Sequence, residues 1–110
     1  MKKTLLFARN DENIKISIEI YFNEKDQLYF YGYDIGKSVK EFQGDLDYEY
    51  TYTIEQDEVN KFYQLFELKE GDKNGLLLAI QKRFGVNEAY SLFGKFMNQH
   101  GIKYTNFSWT

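Results

Sequence analysis

The apolar residues of this chain change their period once, and that change governs what the chain can fold into. Between Ile14 and Ile54 they recur at every second position, and from Val59 to Met97 they recur at intervals of three and four. A period of two belongs to strands with one buried face, and a period near 3.6 to amphipathic helices.

In the first half, Ile14, Ile16, Ile18 and Ile20 alternate with Lys15, Ser17, Glu19 and Tyr21. Asn23-Glu24-Lys25-Asp26 is a turn signal. The next strand is expected over 27–34, with Leu28, Phe30 and Gly32 on one face and Tyr29, Tyr31 and Tyr33 on the other. Residues 4–9 supply a short neighbouring strand. A connection is expected over 35–44, with a helical turn through 38–42. Leu46, Tyr48, Tyr50, Tyr52 and Ile54 then alternate with Asp47, Glu49, Thr51 and Thr53, so aromatics face inward and acids and hydroxyls outward.

In the second half, Val59, Phe62, Tyr63 and Phe66 form the apolar stripe of a first helix. Glu55, Asp57 and Glu58 crowd its first turn, where the helix dipole favours negative charge. A break at Gly71-Asp72-Lys73-Asn74-Gly75 precedes a helix carrying Leu76, Leu77, Ile80 and Phe84, which Gly85 is expected to stop. Asn87 is expected to cap a third helix bearing Ala89, Tyr90, Phe93, Phe96 and Met97 and ended by Gly101. The tail, residues 102–109, reads as a returning strand, with Trp109 expected to cover a core edge. The expected fold class is α+β: one domain over residues 1–110, with an antiparallel sheet of four to five strands from the N-terminal half and the tail, and three helices on one of its faces.

Absences remove most familiar chemistry. The 110 residues hold no cysteine and one histidine, His100, which excludes disulfides, thiolate zinc sites and a multi-histidine metal centre within one chain. Neither common glycine-rich phosphate loop occurs. His100 sits where a helix C-terminus favours an imidazole. With no nucleophile and base in a recognisable arrangement, the chain reads as a non-enzyme that needs no cofactor. The N-terminal apolar stretch ends after five residues, at Arg9, too short for a secretory core, and no run is long enough to span a membrane; a cytoplasmic protein is expected.

Charge is unevenly placed. The net charge is −3, yet between Lys40 and Lys61 there are seven acids and no base: Glu41, Asp45, Asp47, Glu49, Glu55, Asp57 and Glu58. The other residues carry 14 bases against 10 acids. Three readings stay open: a solvated strand edge and helix start, an acidic docking surface for a basic partner, and a cation site at Asp45-x-Asp47-x-Glu49. With aromatics at 19%, the tyrosines either fill a small core or stand on an open sheet face as a binding surface. A pI of 5.2 with no basic stripe argues against direct nucleic-acid binding.

Asp34-Ile35-Gly36, Val39 and Glu41, then Gly44-Asp45-Leu46-Asp47-Tyr48-Glu49-Tyr50, with Gly101-Ile102-Lys103-Tyr104 and Trp109 at the end, resemble a pattern in small bacterial immunity proteins of polymorphic toxin and contact-dependent growth-inhibition systems. That resemblance implies a protein that binds and neutralises one cognate toxin domain, often a nuclease. Nucleases are basic around their active sites, because phosphate must be attracted there. The expected contacts are therefore Asp45, Asp47, Glu49, Asp57 and Glu58, with Tyr29, Tyr31 and Tyr33 as aromatic anchors. The competing expectations are a small-ligand or metal-binding domain and a self-associating adaptor.

Overall fold

The computed structural model describes residues 2–12, 14–36 and 47–109. The strands are β1 (Thr4–Asn10), β2 (Ile14–Phe22), β3 (Leu28–Gly36), β4 (Asp47–Ile54) and β5 (Thr105–Trp109). Between β4 and β5 lie helices α1 (Gln56–Leu65), α2 (Lys73–Phe84) and α3 (Ala89–Gln99). All strand pairs are antiparallel, in the order β1-β2-β3-β4-β5, so the fold is the expected α+β arrangement. The expected helical turn at 38–42 lies outside the described residues.

Register follows from the alternation. Pairing Ile18 with Gly32 and Gly32 with Tyr50 puts the apolar sets of three strands on one face. Ile18, Ile20, Leu28, Phe30 and Ile54 on that face are fully buried. The β2–β3 turn is closed by Asn23, whose Oδ1 accepts the backbone N–H groups of Lys25 and Gln27, both at 3.0 Å.

The helices complete the core on the same face. Phe93 of α3 stacks on Phe30 at 5.4 Å and on Phe62 of α1 at 5.6 Å, and Phe84 of α2 meets Phe93 edge-on at 5.2 Å. Tyr52 stacks on Tyr90 at 4.2 Å and donates to its carbonyl at 2.9 Å, fastening β4 to α3.

Helix ends bear out two expectations and correct a third. Gly85 ends α2 as expected, though with φ −78° rather than in the left-handed region; a Cβ there would lie 2.6 Å from the Gln81 carbonyl and 3.0 Å from that of Leu6. Close approach of helix to strand is what that position requires. Asn87 does not cap α3: Glu88 precedes the helix, with no side-chain cap. Gly101 does end α3, at φ +66°, where Ile102 N–H reaches the Met97 carbonyl at 2.9 Å. The same device ends α1 with a non-glycine: Glu67 has φ +57°, and Leu68 N–H reaches the Tyr63 carbonyl at 2.8 Å.

Candidate protein-docking face

The three described helices lie on one face of the sheet, and no described helix lies on the other. In register, Tyr21, Tyr29, Thr53 and Thr105 form one row across β2–β5, and Glu19, Tyr31, Thr51 and Phe107 the next. Ser17, Tyr33, Glu49 and Trp109 form the third. No described helix packs on these rows. The face is consequently aromatic along β3 and at the β5 edge, with Glu19 and Glu49 set into it.

The three β3 tyrosines make a ladder. Tyr29 and Tyr31, and Tyr31 and Tyr33, lie 6.4 Å apart between ring centres, with planes inclined by 13° and 14°. Tyr21 meets Tyr29 edge-on at 5.5 Å. Each of the first two rings leans toward β4 and two residues along it. Thr51 hydrogen-bonds the Tyr29 hydroxyl, although Thr51 pairs with Tyr31 in the register. Tyr31 donates to Glu49, which pairs with Tyr33. This overlap explains a departure from the simple alternation: Thr51, expected to point into solvent, is only 3% exposed, because it lies under the tyrosine ladder.

The electrostatics follow from that packing. Burial, then the charge and hydrogen bond of Glu49, push the Tyr31 phenol up to about 12. Burial also raises Tyr29 and Tyr21. Lys3 stands 5.0 Å from the Tyr21 ring centre and 3.7 Å from Glu19.

The acidic residues separate. Glu49 is half-buried in the face, and Asp47 opens β4 in register with Ile35. Asp45 lies outside the described residues. Asp57 is exposed on the first turn of α1, where it accepts the Glu58 N–H at 3.1 Å. Glu58 is engaged within the fold. Its Oε1 accepts from Lys61 Nζ at 2.9 Å and from the Lys103 N–H at 2.7 Å, which holds its carboxyl below the usual range. Lys61 also donates to the Gly101 carbonyl at 3.0 Å, so the pair clips α1 to the segment leading into β5. Five strand residues, about 17 Å, separate Glu49 from the end of β4 where α1 begins. Glu49, Asp57 and Glu58 therefore do not form one patch, and of these three Glu49 alone adjoins the tyrosine ladder. No group of three or more metal-ligating side chains occurs among the described residues.

Sequence reasoning missed Phe107 and placed Trp109 at a core edge. Phe107 is 68% and Trp109 45% exposed, both on the aromatic face. Their odd numbering within β5 was the available signal, readable only once the β4–β5 register is known. No family model, curated protein or solved structure matches this chain.

Proposed function

We propose that this chain is a non-enzymatic immunity protein that binds a cognate toxin domain through its open sheet face and neutralises it. The carrying observation is the ladder Tyr29, Tyr31 and Tyr33, left uncovered by every described helix and edged by Glu49. Tyrosines held by neighbours lose little freedom on binding, which is why they anchor interfaces. Set in that face, Glu49 and Glu19 favour cationic partners, and arginine stacks on tyrosine rings while pairing with a carboxylate. A basic nuclease toxin offers that chemistry around its active site. Asp45 and Asp47 stay among the proposed contacts for their nearness to Glu49 in sequence; Asp57 contributes at long range, and Glu58 is engaged internally. The bacterial cytoplasm is where such a toxin would act and where its inhibitor would be needed.

The test has two stages. The wild-type chain and the Asp47→Lys/Glu49→Lys variant are used as baits in lysate of the source bacterium, and partners that the variant loses are identified. Each such partner domain is then expressed in a sensitive host, with and without the chain. Growth arrest relieved by wild type, but not by the variant or by Tyr31→Ala, supports the proposal. A captured partner that is harmless alone, or whose toxicity the variants relieve equally well, overturns it.

A further inference from the structure

The two edges of the sheet are treated differently. The β1 edge is interrupted by a register shift between Leu5 and Phe7, and Gln81 of α2 donates to the Leu5 carbonyl at 2.8 Å. It also ends in the Arg9–Asp11 ion pair at 2.7 Å. Bulges, covering side chains and charges are the usual means by which a sheet edge is kept from pairing with another chain.

β5 has none of them. Its five residues, Thr105-Asn106-Phe107-Ser108-Trp109, include no charge, no proline and no register shift, and all five are exposed. No described side chain bonds to its free backbone edge. Exposed on both faces and along one edge, β5 is attached to the molecule by its ladder to β4 and by Asn106, whose Nδ2 donates to the Tyr90 hydroxyl at 3.4 Å. An uncharged aromatic strand so placed is a template for another strand.

We propose that β5 pairs antiparallel with β5 of a second copy, across a two-fold axis at Phe107, joining two sheets into one of ten strands. Three observations select a second copy as the occupant. A two-fold axis sets each residue against the same strand, and a strand without charge meets no like-charge repulsion there. Keeping both helix layers on one side requires residues of equal parity to pair, and only the register centred on Phe107 then pairs all five. That register sets Phe107 against Phe107 and Thr105 against Trp109, an aromatic pair flanked by two aromatic–β-branched pairs. The pairing leaves Tyr29, Tyr31 and Tyr33 open and does not depend on the toxin-binding proposal.

The contact is small. Two partly exposed aromatics and one strand edge per copy fall below the roughly 800 Å² per partner of a standard interface, so the dissociation constant is expected on the order of tens of micromolar. Sedimentation from about 1 μM to about 1 mM, spanning that constant, should therefore follow the mass from 13.2 kDa toward twice that value. Phe107→Lys should leave a monomer throughout. The absence of cysteine permits a register test that does not depend on that variant. Phe107→Cys should cross-link to itself on mild oxidation, whereas Thr105→Cys should not, since its copies lie about 13 Å apart along the strands. A mixture of Thr105→Cys with Trp109→Cys should give the mixed dimer. A wild-type monomer at every concentration, or cross-linking equally efficient at positions 105 and 107, overturns the proposal.

Discussion

The Tyr50 hydroxyl donates a 2.7 Å hydrogen bond to Asp34 Oδ1, and its ring reaches that carboxylate by lying across Gly32. Three residues of β3 and β4 thereby make one unit on the helix side of the sheet. Tyr50 is 7% exposed and meets Tyr90 of α3 edge-on at 5.0 Å. Burial raises the Asp34 carboxyl above its ordinary value, and the Tyr50 hydrogen bond offsets part of that rise.

The raised carboxyl makes stability pH-dependent with a defined sign. Because the folded chain holds the Asp34 proton more tightly than the unfolded chain, this contribution is full below 3.8 and lost as pH rises through the folded value. Asp34→Asn keeps an acceptor for Tyr50 and removes the loss. Denaturant unfolding should therefore rank the variant more favourably against wild type at pH 7 than at pH 3. Tyr50→Phe, which strips the carboxylate of its donor, should cost about 1–2 kcal/mol at pH 7 and less at pH 3. Differences that do not change with pH would dismiss the account.

Gly32 is constrained by the same unit. A Cβ there would fall 1.8 Å from Tyr50 Cε2, and the ring is held by Asp34 at its hydroxyl end and by Tyr90 beside it. Gly32→Ala should destabilise the fold by about 1–3 kcal/mol, as overpacking does. Thermal unfolding is the measurement, and a Tm within a degree or so of wild type would mean that the Tyr50 ring moves freely.

At alkaline pH the tyrosines act together. Tyr21, Tyr29, Tyr31, Tyr50, Tyr52 and Tyr63 are all pushed above 10.0, chiefly by burial. Phenols raised in the folded state contribute stability that is full below 10.0 and lost above it, as the unfolded chain releases its protons first. Stability should fall with a steepening slope from pH 10 toward 12. Glu49→Gln should lower the Tyr31 value from about 12 while leaving it above 10.0, since burial is the larger cause. Site-resolved NMR titration of Tyr31 measures this, and an unchanged value would separate Glu49 from the ladder.

How much was legible depended on whether periodicity carried the information. The alternation from Ile14 to Ile54 locates β2, β3 and β4 within two residues, because burial of one face enforces it. The helices followed from the stripes through Phe62, Ile80 and Phe93. Asn87 failed as a cap because capping depends on local backbone geometry, which a residue type does not determine. Thr51 looked exposed because alternation describes one strand, whereas its cover comes from rings on β3. The acidic run looked continuous for a similar reason: adjacency in sequence spans a strand and then a helix, and Glu58 was already committed to Lys61 and the Lys103 N–H.

Glu67 holds the left-handed position that Gly101 holds after α3. A side chain there costs about 1–2 kcal/mol by steric conflict with the backbone, part of which glycine returns through its greater freedom in the unfolded chain. Glu67→Gly should raise stability by about 0.5–1 kcal/mol, and Glu67→Val should lower it. Paired denaturant titrations decide this, and a destabilised glycine variant would mean that the Glu67 side chain makes a compensating contact.

Placement of the charges also predicts which reversals affect docking. Glu49 lies in the tyrosine face, whereas Asp57 stands on α1 beyond the end of β4. A charge inside a contact changes dissociation as well as association, while a remote one changes association alone and is screened by salt. Against a toxin domain bound as proposed, Glu49→Lys and Tyr31→Ala should each weaken affinity by about tenfold or more, mainly through faster dissociation. Asp57→Lys should weaken it by less than about threefold, through slower association that disappears near about 0.5 M salt. Surface plasmon resonance at low and high salt separates these effects. If Asp57→Lys proves the more damaging, the partner sits on α1 rather than on the sheet.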